Sequence, residues 1–363
     1  MRCLPKWVGR FVWGAAVAGV TITLGAPARA DDAQTGTPDG GKPPGHGYLS
    51  FQVENDSLGN GADRDYTHGM EIAYVSEPCQ HRWVSRVAQT IYLLPRDGRE
   101  CRRDRVSFAL GQTMYTPSDI SLNPPNPDDR PYAGWLYLNA GILSEDYDAG
   151  DPLALRRFSF RGLRKLEVSL GVVGPASGAG ATQRWFHDRI GATEPRGWGS
   201  QLSNEPALMV SYQYQWRYGA HLLPALEFDA TPHVSASLGN VFTEGALGFT
   251  VRIGNNMLLD YGPARIRPSA PGSAFFQSRD GIGWYLFAGV EGRAVGRNIF
   301  LDGNTFADSP SVDKRAFVGD FQYGAAITLS RVRIAFTQIF RTKEFFGQEH
   351  TDNFGAVSLS FAL

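Results

Sequence analysis

After residue 30 this 363-residue chain has no uninterrupted apolar run of about 18 residues, which excludes a membrane-spanning helix from its folded part. A barrel is not excluded, because barrel strands alternate apolar with polar residues and score near neutral in hydropathy. Excess positive charge is missing too: 35 Lys and Arg stand against 36 Asp and Glu, so nothing argues for a nucleic-acid partner. No G-x-S-x-G elbow occurs, which leaves Ser177, in G-P-A-S-G, as a turn residue rather than a nucleophile. Cysteine is scarce, with only Cys3, Cys79 and Cys101.

The start of the chain reads as an export signal. Arg2, Lys6 and Arg10 are followed by a mostly apolar, uncharged stretch from Phe11 to Gly25, and Ala28-Arg29-Ala30 offers an A-x-A cleavage site. Removing residues 1–30 takes four bases and no acid, so 31 bases remain against 36 acids, a net charge of −5. Cys79 and Cys101 then remain in an exported chain. Either they form one disulfide, closing a loop of about 22 residues and stabilising by roughly 3 kcal/mol, or they stay as two free thiols. Residues 31–46, rich in Gly, Pro, Asp and Thr, read as a disordered lead-in to a domain over 47–363.

That domain shows twelve strand-like runs. They are Gly47 to Glu54, Gly69 to Ser76, Arg105 to Thr113, Tyr132 to Leu143, Lys165 to Val173, Ala207 to Trp216, Ala220 to Gly239, Gly245 to Gly254, Gly281 to Gly292, Phe317 to Leu329, Arg331 to Arg341 and Phe354 to Leu363. Ala220 to Gly239 reads as one long strand bent through Pro224 and Pro232. An even number of runs of about ten residues, with one face apolar and Tyr and Trp near the ends, is the pattern of an all-β, antiparallel transmembrane barrel. A soluble twelve-stranded sandwich is the alternative. The long connection Asn255 to Asp280 fits neither simply, since periplasmic turns of a barrel are short.

With the amino terminus in the periplasm, three polar clusters fall on one extracellular rim. They are Glu54-Asn55-Asp56 with Asp63-Arg64-Asp65-Tyr66-Thr67, then Asp128-Asp129-Arg130-Pro131-Tyr132, then Gln183-Arg184-Trp185-Phe186-His187. Gln183 and His187 are four apart, so a short helix in that extracellular loop would carry both on one face. His187 is a candidate general base and Asn55 and Gln183 candidate amide donors, while Asp56 and the Thr67 hydroxyl are hard oxygen ligands of the kind Ca²⁺ takes. His68 permits a rival zinc site with His187 and Asp56, against which stands the opposed direction of adjacent side chains on an extended chain. The Asp128–Tyr132 cluster reads as an ion-paired loop base. Arg64, Arg130, Arg184 and Arg189 are candidate phosphate contacts.

In order along the chain, E-N-D with D-R-D-Y-T-H-G, G-Q-T-M-Y-T-P-S-D-I, D-D-R-P-Y-A-G-W, G-V-V-G-P-A-S-G with Q-x-x-x-H, and G-W-x-x-Q-L-x-N-E resemble the LpxR-type outer-membrane lipid A 3′-O-deacylases. The motifs are dense from Phe51 to Glu205. The resemblance implies a twelve-stranded barrel in the outer membrane of a Gram-negative bacterium. It also implies Ca²⁺-dependent hydrolysis of the 3′-linked acyl ester of lipid A, with functional residues at Asn55, Asp56, Thr67, Gln183 and His187. This sequence departs from the family pattern in two places: no lysine occurs in the second rim loop, where Leu122 stands, and the acidic residue after the histidine is displaced to Glu194. A non-catalytic channel or a surface-binding barrel is the alternative function.

Overall fold

Alternating side chains build the wall. The computed structural model describes residues 46–58, 65–80, 82–92, 103–147, 159–223, 225–257, 261–263, 265–266, 273, 275–276 and 281–363. The signal segment, nearly all of the lead-in, Arg64 and Cys101 lie outside the described residues. The strands are β1 (Tyr48–Asn55), β2 (Asp65–Val75), β3 (Arg105–Thr116), β4 (Ala133–Tyr147), β5 (Ser159–Val173), β6 (Glu205–Leu223), β7 (Leu226–Gly239), β8 (Phe242–Asn255), β9 (Ile282–Asn298), β10 (Phe317–Leu329), β11 (Val332–Arg341) and β12 (Asp352–Ala362). Each pairs antiparallel with its chain neighbours, and β1 pairs with β12 to close a single barrel, so the sheet has no edge. The sandwich alternative is thereby set aside.

The two faces of the wall carry opposite chemistry. On the outside, Leu138, Leu170 and Leu208 sit in one register row across β4, β5 and β6 and are 63, 59 and 52% exposed. A continuous apolar surface of this kind is costly in water at roughly 25 cal/mol per Å², and belongs in hydrocarbon. On the inside, charge is buried but paired: Arg217 Nε and Arg252 Nε donate to opposite oxygens of Asp229, both at 2.8 Å. Breaking such a pair leaves an uncompensated buried charge, which fixes the lumen as a packed network.

Described residues of the connection after β8 enter that lumen. Arg265 donates from Nε to Glu54 at 2.7 Å and from Nη1 to Gln322 at 2.8 Å, while Arg333 and Tyr48 bond the carbonyls of Ser273 and Phe276. Tyr261, Phe275 and Phe276 are buried against Tyr48, Val75, Leu143 and Leu163 from the wall. These described residues thus act as a plug.

The sequence reading needs one correction among the strands. Ala220 to Gly239 is not one strand: β6 runs on to Leu223, and β7 begins at Leu226. Pro232 does lie within β7, where the ladder to β6 is interrupted between the pairs Gln215↔His233 and Tyr218↔Ala230, as a residue without an N–H requires. A ten-residue helix, α1 (Arg82–Ile91), in the connection after β2 was not anticipated. Cys79, just before it, is disulfide-bonded.

Candidate functional site

Register places the first part of the site. Asn55 of β1 pairs with His68 of β2, His68 with Met114 of β3, and Met114 with Gly134 of β4, giving one row at the end of the barrel opposite both termini. By alternation with the exposed Val53, Met70 and Leu110, this row points outward, toward the membrane side and away from the lumen. A bulge between Tyr66 and His68 sets Thr67 out of register. Thr67 is 2% exposed, and its hydroxyl lies 2.6 Å from that of Thr116. Asp56 begins a 3-10 turn (Asp56–Leu58) directly after β1 and is 4% exposed.

A helix covers the row. α2 (Ala179–Ile190) follows a 3-10 turn over Pro175–Ser177 and is seated on Gly134, where a Cβ would lie 2.2 Å from that of Ala179 and 2.4 Å from Ser177 Oγ. Glycine is required there by contact and not by dihedral freedom. Gln112 Nε2 donates to the Ser177 carbonyl at 2.7 Å, and Met114 is buried with Ile120, Tyr132, Ala179 and Trp198. At the other end of the row Gly355, the β12 partner of Asn55, is overlain by Leu58. Two covers therefore meet the wall, at Gly134 and at Gly355. We expect Gly134→Val to push α2 off its seat at a cost of about 1–3 kcal/mol, seen as faster proteolysis within residues 174–204 while heat-modifiable gel mobility stays that of a folded barrel.

α2 presents two faces. Gln183 and His187 are buried on one, whereas Trp185, Phe186 and Ile190 are 53, 44 and 60% exposed on the others. The Phe186 ring stacks on His68 at 6.4 Å, which ties this part of the helix to the Asn55–His68 pair. The His187 Nδ1 hydrogen bond is to the Thr193 carbonyl, an acceptor, so the proton sits on Nδ1 and the ring lone pair on Nε2. Gln183 Oε1 accepts from Trp198 Nε1 at 2.7 Å, which turns its amide nitrogen to the other side. Asn55 is oriented likewise, with Oδ1 accepting from Ser57 N at 2.9 Å and Nδ2 donating to the Thr67 carbonyl at 3.0 Å and toward His68 Nδ1 at 3.4 Å. Both amides thus have their carbonyl ends fixed, leaving each with its donor end defined.

Sequence reasoning passed over Trp198 and Gly134 as parts of this arrangement, and weighed His68 only as a zinc ligand. Trp198 and Gly134 did stand inside quoted motifs, but the motif alone does not say that one orients Gln183 and the other seats a helix. His68 and Asp56 do not form the zinc alternative with His187: among the described residues no group of three or more His, Cys, Asp and Glu side chains could hold a metal ion. Arg130 is not a phosphate contact. It is fully buried, with Nε 3.3 Å from Asp65 and Nη2 2.7 Å from Glu344. Burial alone would raise the Glu344 carboxyl, but Arg130 and Arg341 outweigh it and hold that group below the usual carboxylate range. The Asp128–Tyr132 segment is structural as expected, with Tyr132 buried against Trp198 at 5.0 Å and its hydroxyl on the Ile120 carbonyl. Arg184 and Arg189 are exposed, and Arg189 lies over the Trp185 ring at 4.9 Å. Leu122 is exposed, and Glu194 forms a surface pair with Arg196 at 3.2 Å.

A closed barrel with an apolar outer band, a filled lumen and a helix-covered polar cluster on its outer wall defines an integral outer-membrane β-barrel protein. The chain belongs to the LpxR family, described as outer membrane protein LpxR, whose model matches residues 16–363. LpxR from Salmonella typhimurium has a similar structure, with a TM-score of 0.66 at 22% identity over 87% of this chain and 100% of that one. The β domain of the Bordetella autotransporter BrkA (TM-score 0.37, 7% identity, 88% and 99% covered) and the translocator domain of NalP from Neisseria meningitidis (TM-score 0.32, 12% identity, 88% and 88% covered) are far less similar. Among curated proteins none matches the chain.

Proposed function

We propose that this LpxR-family barrel is a lipid A 3′-O-deacylase, hydrolysing the ester that links the 3′ acyl or acyloxyacyl group in the outer leaflet. The observation that carries the reading is the placement of the polar row Asn55–His68 and the helix face of Gln183 and His187 on the outer wall rather than in the lumen. A lipid would reach such a site from within the membrane with its acyl chains still in hydrocarbon, avoiding a cost of about 0.8 kcal/mol for each CH₂ drawn into water. A channel would instead need an open lumen, and the described residues of the connection after β8 occupy it.

In this reading His187 Nε2 takes a proton from water as the water attacks the ester carbonyl and returns it to the 3′ oxygen as the acyl C–O bond breaks, while Nδ1–H on the Thr193 carbonyl keeps the ring in the accepting tautomer. The donors for the developing oxyanion are the Gln183 amide nitrogen, whose oxygen is engaged by Trp198, and the Asn55 Nδ2 proton that makes only the long 3.4 Å contact to His68 and would turn from it to the oxyanion. Asp56 and Thr67 supply a buried, all-oxygen donor set, which fits Ca²⁺ better than a softer ion. When bound there, Ca²⁺ would polarise the ester carbonyl. Trp185, Phe186 and Ile190 extend the outer apolar surface beside the site and are suited to acyl chains.

Expression of the full chain in a Gram-negative host tests the proposal. The lipid A mass spectrum is expected to gain a species lighter by one acyl or acyloxyacyl unit with both phosphates kept. A loss located on the 2 or 2′ acyl groups would contradict the 3′ assignment.

A further inference from the structure

At the opposite end of the barrel, α1 lies on the outside of the wall. Its Ala88 and the following Tyr92 are buried against Ile142, Leu166 and Tyr212. Those three are register partners across β4, β5 and β6, two residues toward the termini from Ala140, Val168 and Val210 and four from the exposed leucine row. Tyr92 also donates its hydroxyl to the Ile142 carbonyl at 2.6 Å. The helix therefore sits at a definite depth, just below the apolar band.

The wall at that depth has an interfacial character. Next along the strands comes the row Ser144, Arg164 and Tyr214, with the Arg164 guanidinium 4.4 Å from the Tyr214 ring centroid and the Tyr214 and Trp216 rings 4.4 Å apart. Aromatic rings and arginine at one level mark the zone where hydrocarbon gives way to lipid headgroups. α1 shares this level and is itself three-faced. Val84, Ala88 and Tyr92 make the buried stripe, Trp83, Val87 and Ile91 follow the same spacing beside it, and Arg86 and Gln89 lie on the remaining side. Trp83 is 55% and Ile91 43% exposed, so this second apolar stripe keeps about half of its two large side chains on the surface.

We propose that α1 is an in-plane helix of the periplasmic leaflet, binding glycerophospholipid. The stripe of Trp83, Val87 and Ile91 lies at the acyl boundary and Arg86 faces the lipid phosphates. Two observations select lipid as the occupant: the helix packs on Ile142, Leu166 and Tyr212, next along the strands to the outer apolar band, and the row beyond them is the Arg164–Tyr214–Trp216 girdle. The backbone bond from Cys79 N to the Asp104 carbonyl at 3.0 Å ties the chain to the start of β3 just before the helix, which limits how far α1 can leave the wall.

The test places a benzophenone side chain, one position at a time, at Trp83, Ile91, Gln89 and Leu138 of the full chain, reconstituted in phosphatidylethanolamine and phosphatidylglycerol vesicles. After irradiation, mass spectrometry is expected to find phospholipid adducts at Trp83 and Ile91 as at the lipid-facing Leu138, and loss of that adduct at Gln89. Heat-modifiable gel mobility of each variant certifies the barrel, and Ile91 reports should the Trp83 variant fail to fold. Adducts at Leu138 but at neither helix position, or helix adducts only to protein at the mass of two chains, would overturn the proposal. No readout depends on catalysis, so failure here leaves the deacylase reading untouched, and the reverse holds equally.

Discussion

His187→Ala should lower deacylation by about 10²- to 10⁴-fold while leaving the barrel intact, because it removes the proposed general base without touching the wall. The side chain belongs to α2, whose seat is formed by Ala179 on Gly134 and by Ser177 on Gln112, two turns of helix away. The bond from Nδ1 to the Thr193 carbonyl is lost with the ring, a local cost of about 1 kcal/mol. Activity in detergent and heat-modifiable mobility should therefore separate, the first collapsing and the second unchanged. Near-normal turnover in a folded variant would remove His187 from the mechanism.

Chelation should have an effect at least as large. Asp56 and Thr67 offer oxygen alone, and a hard ion of flexible coordination is the one such donors favour over zinc or copper. EGTA is expected to silence the purified protein and added Ca²⁺ to restore it. Asp56→Asn, which keeps size but removes the charge, should raise the Ca²⁺ concentration needed for half-maximal activity. The contrary pattern, silencing by a zinc-selective chelator with EGTA inert, would return attention to His68 and to nitrogen ligands.

The wall was legible because barrel strands write their two environments into alternate residues. β10 appears in the sequence with the same limits as in the structure, Phe317–Leu329, and in β5 the outward residues Leu166, Val168 and Leu170 could be read directly. Local spacing also foretold that Gln183 and His187 share a helix face. What stayed hidden depends on partners distant in the chain. The plug is held by contacts such as Arg265 to Glu54, 211 residues apart, and no local pattern announces them. The seating of α2 on Gly134 is a contact between separate elements, so the motif D-D-R-P-Y-A-G-W carried the residue without its reason. β2 begins at Asp65 rather than Gly69, since a bulge at Thr67 breaks the alternation that marks a strand. The same bulge undercuts the simple rule that Thr67 and His68 must face opposite ways.

The most direct test of an outer-wall esterase is made on purified protein mixed with lipid A in detergent containing Ca²⁺, where no native membrane can mask activity. Fragmentation mass spectrometry is expected to show loss of the 3′ acyl or acyloxyacyl unit, dependent on His187. Lipid A unchanged in mass under these conditions would contradict the account and leave a binding barrel in its place.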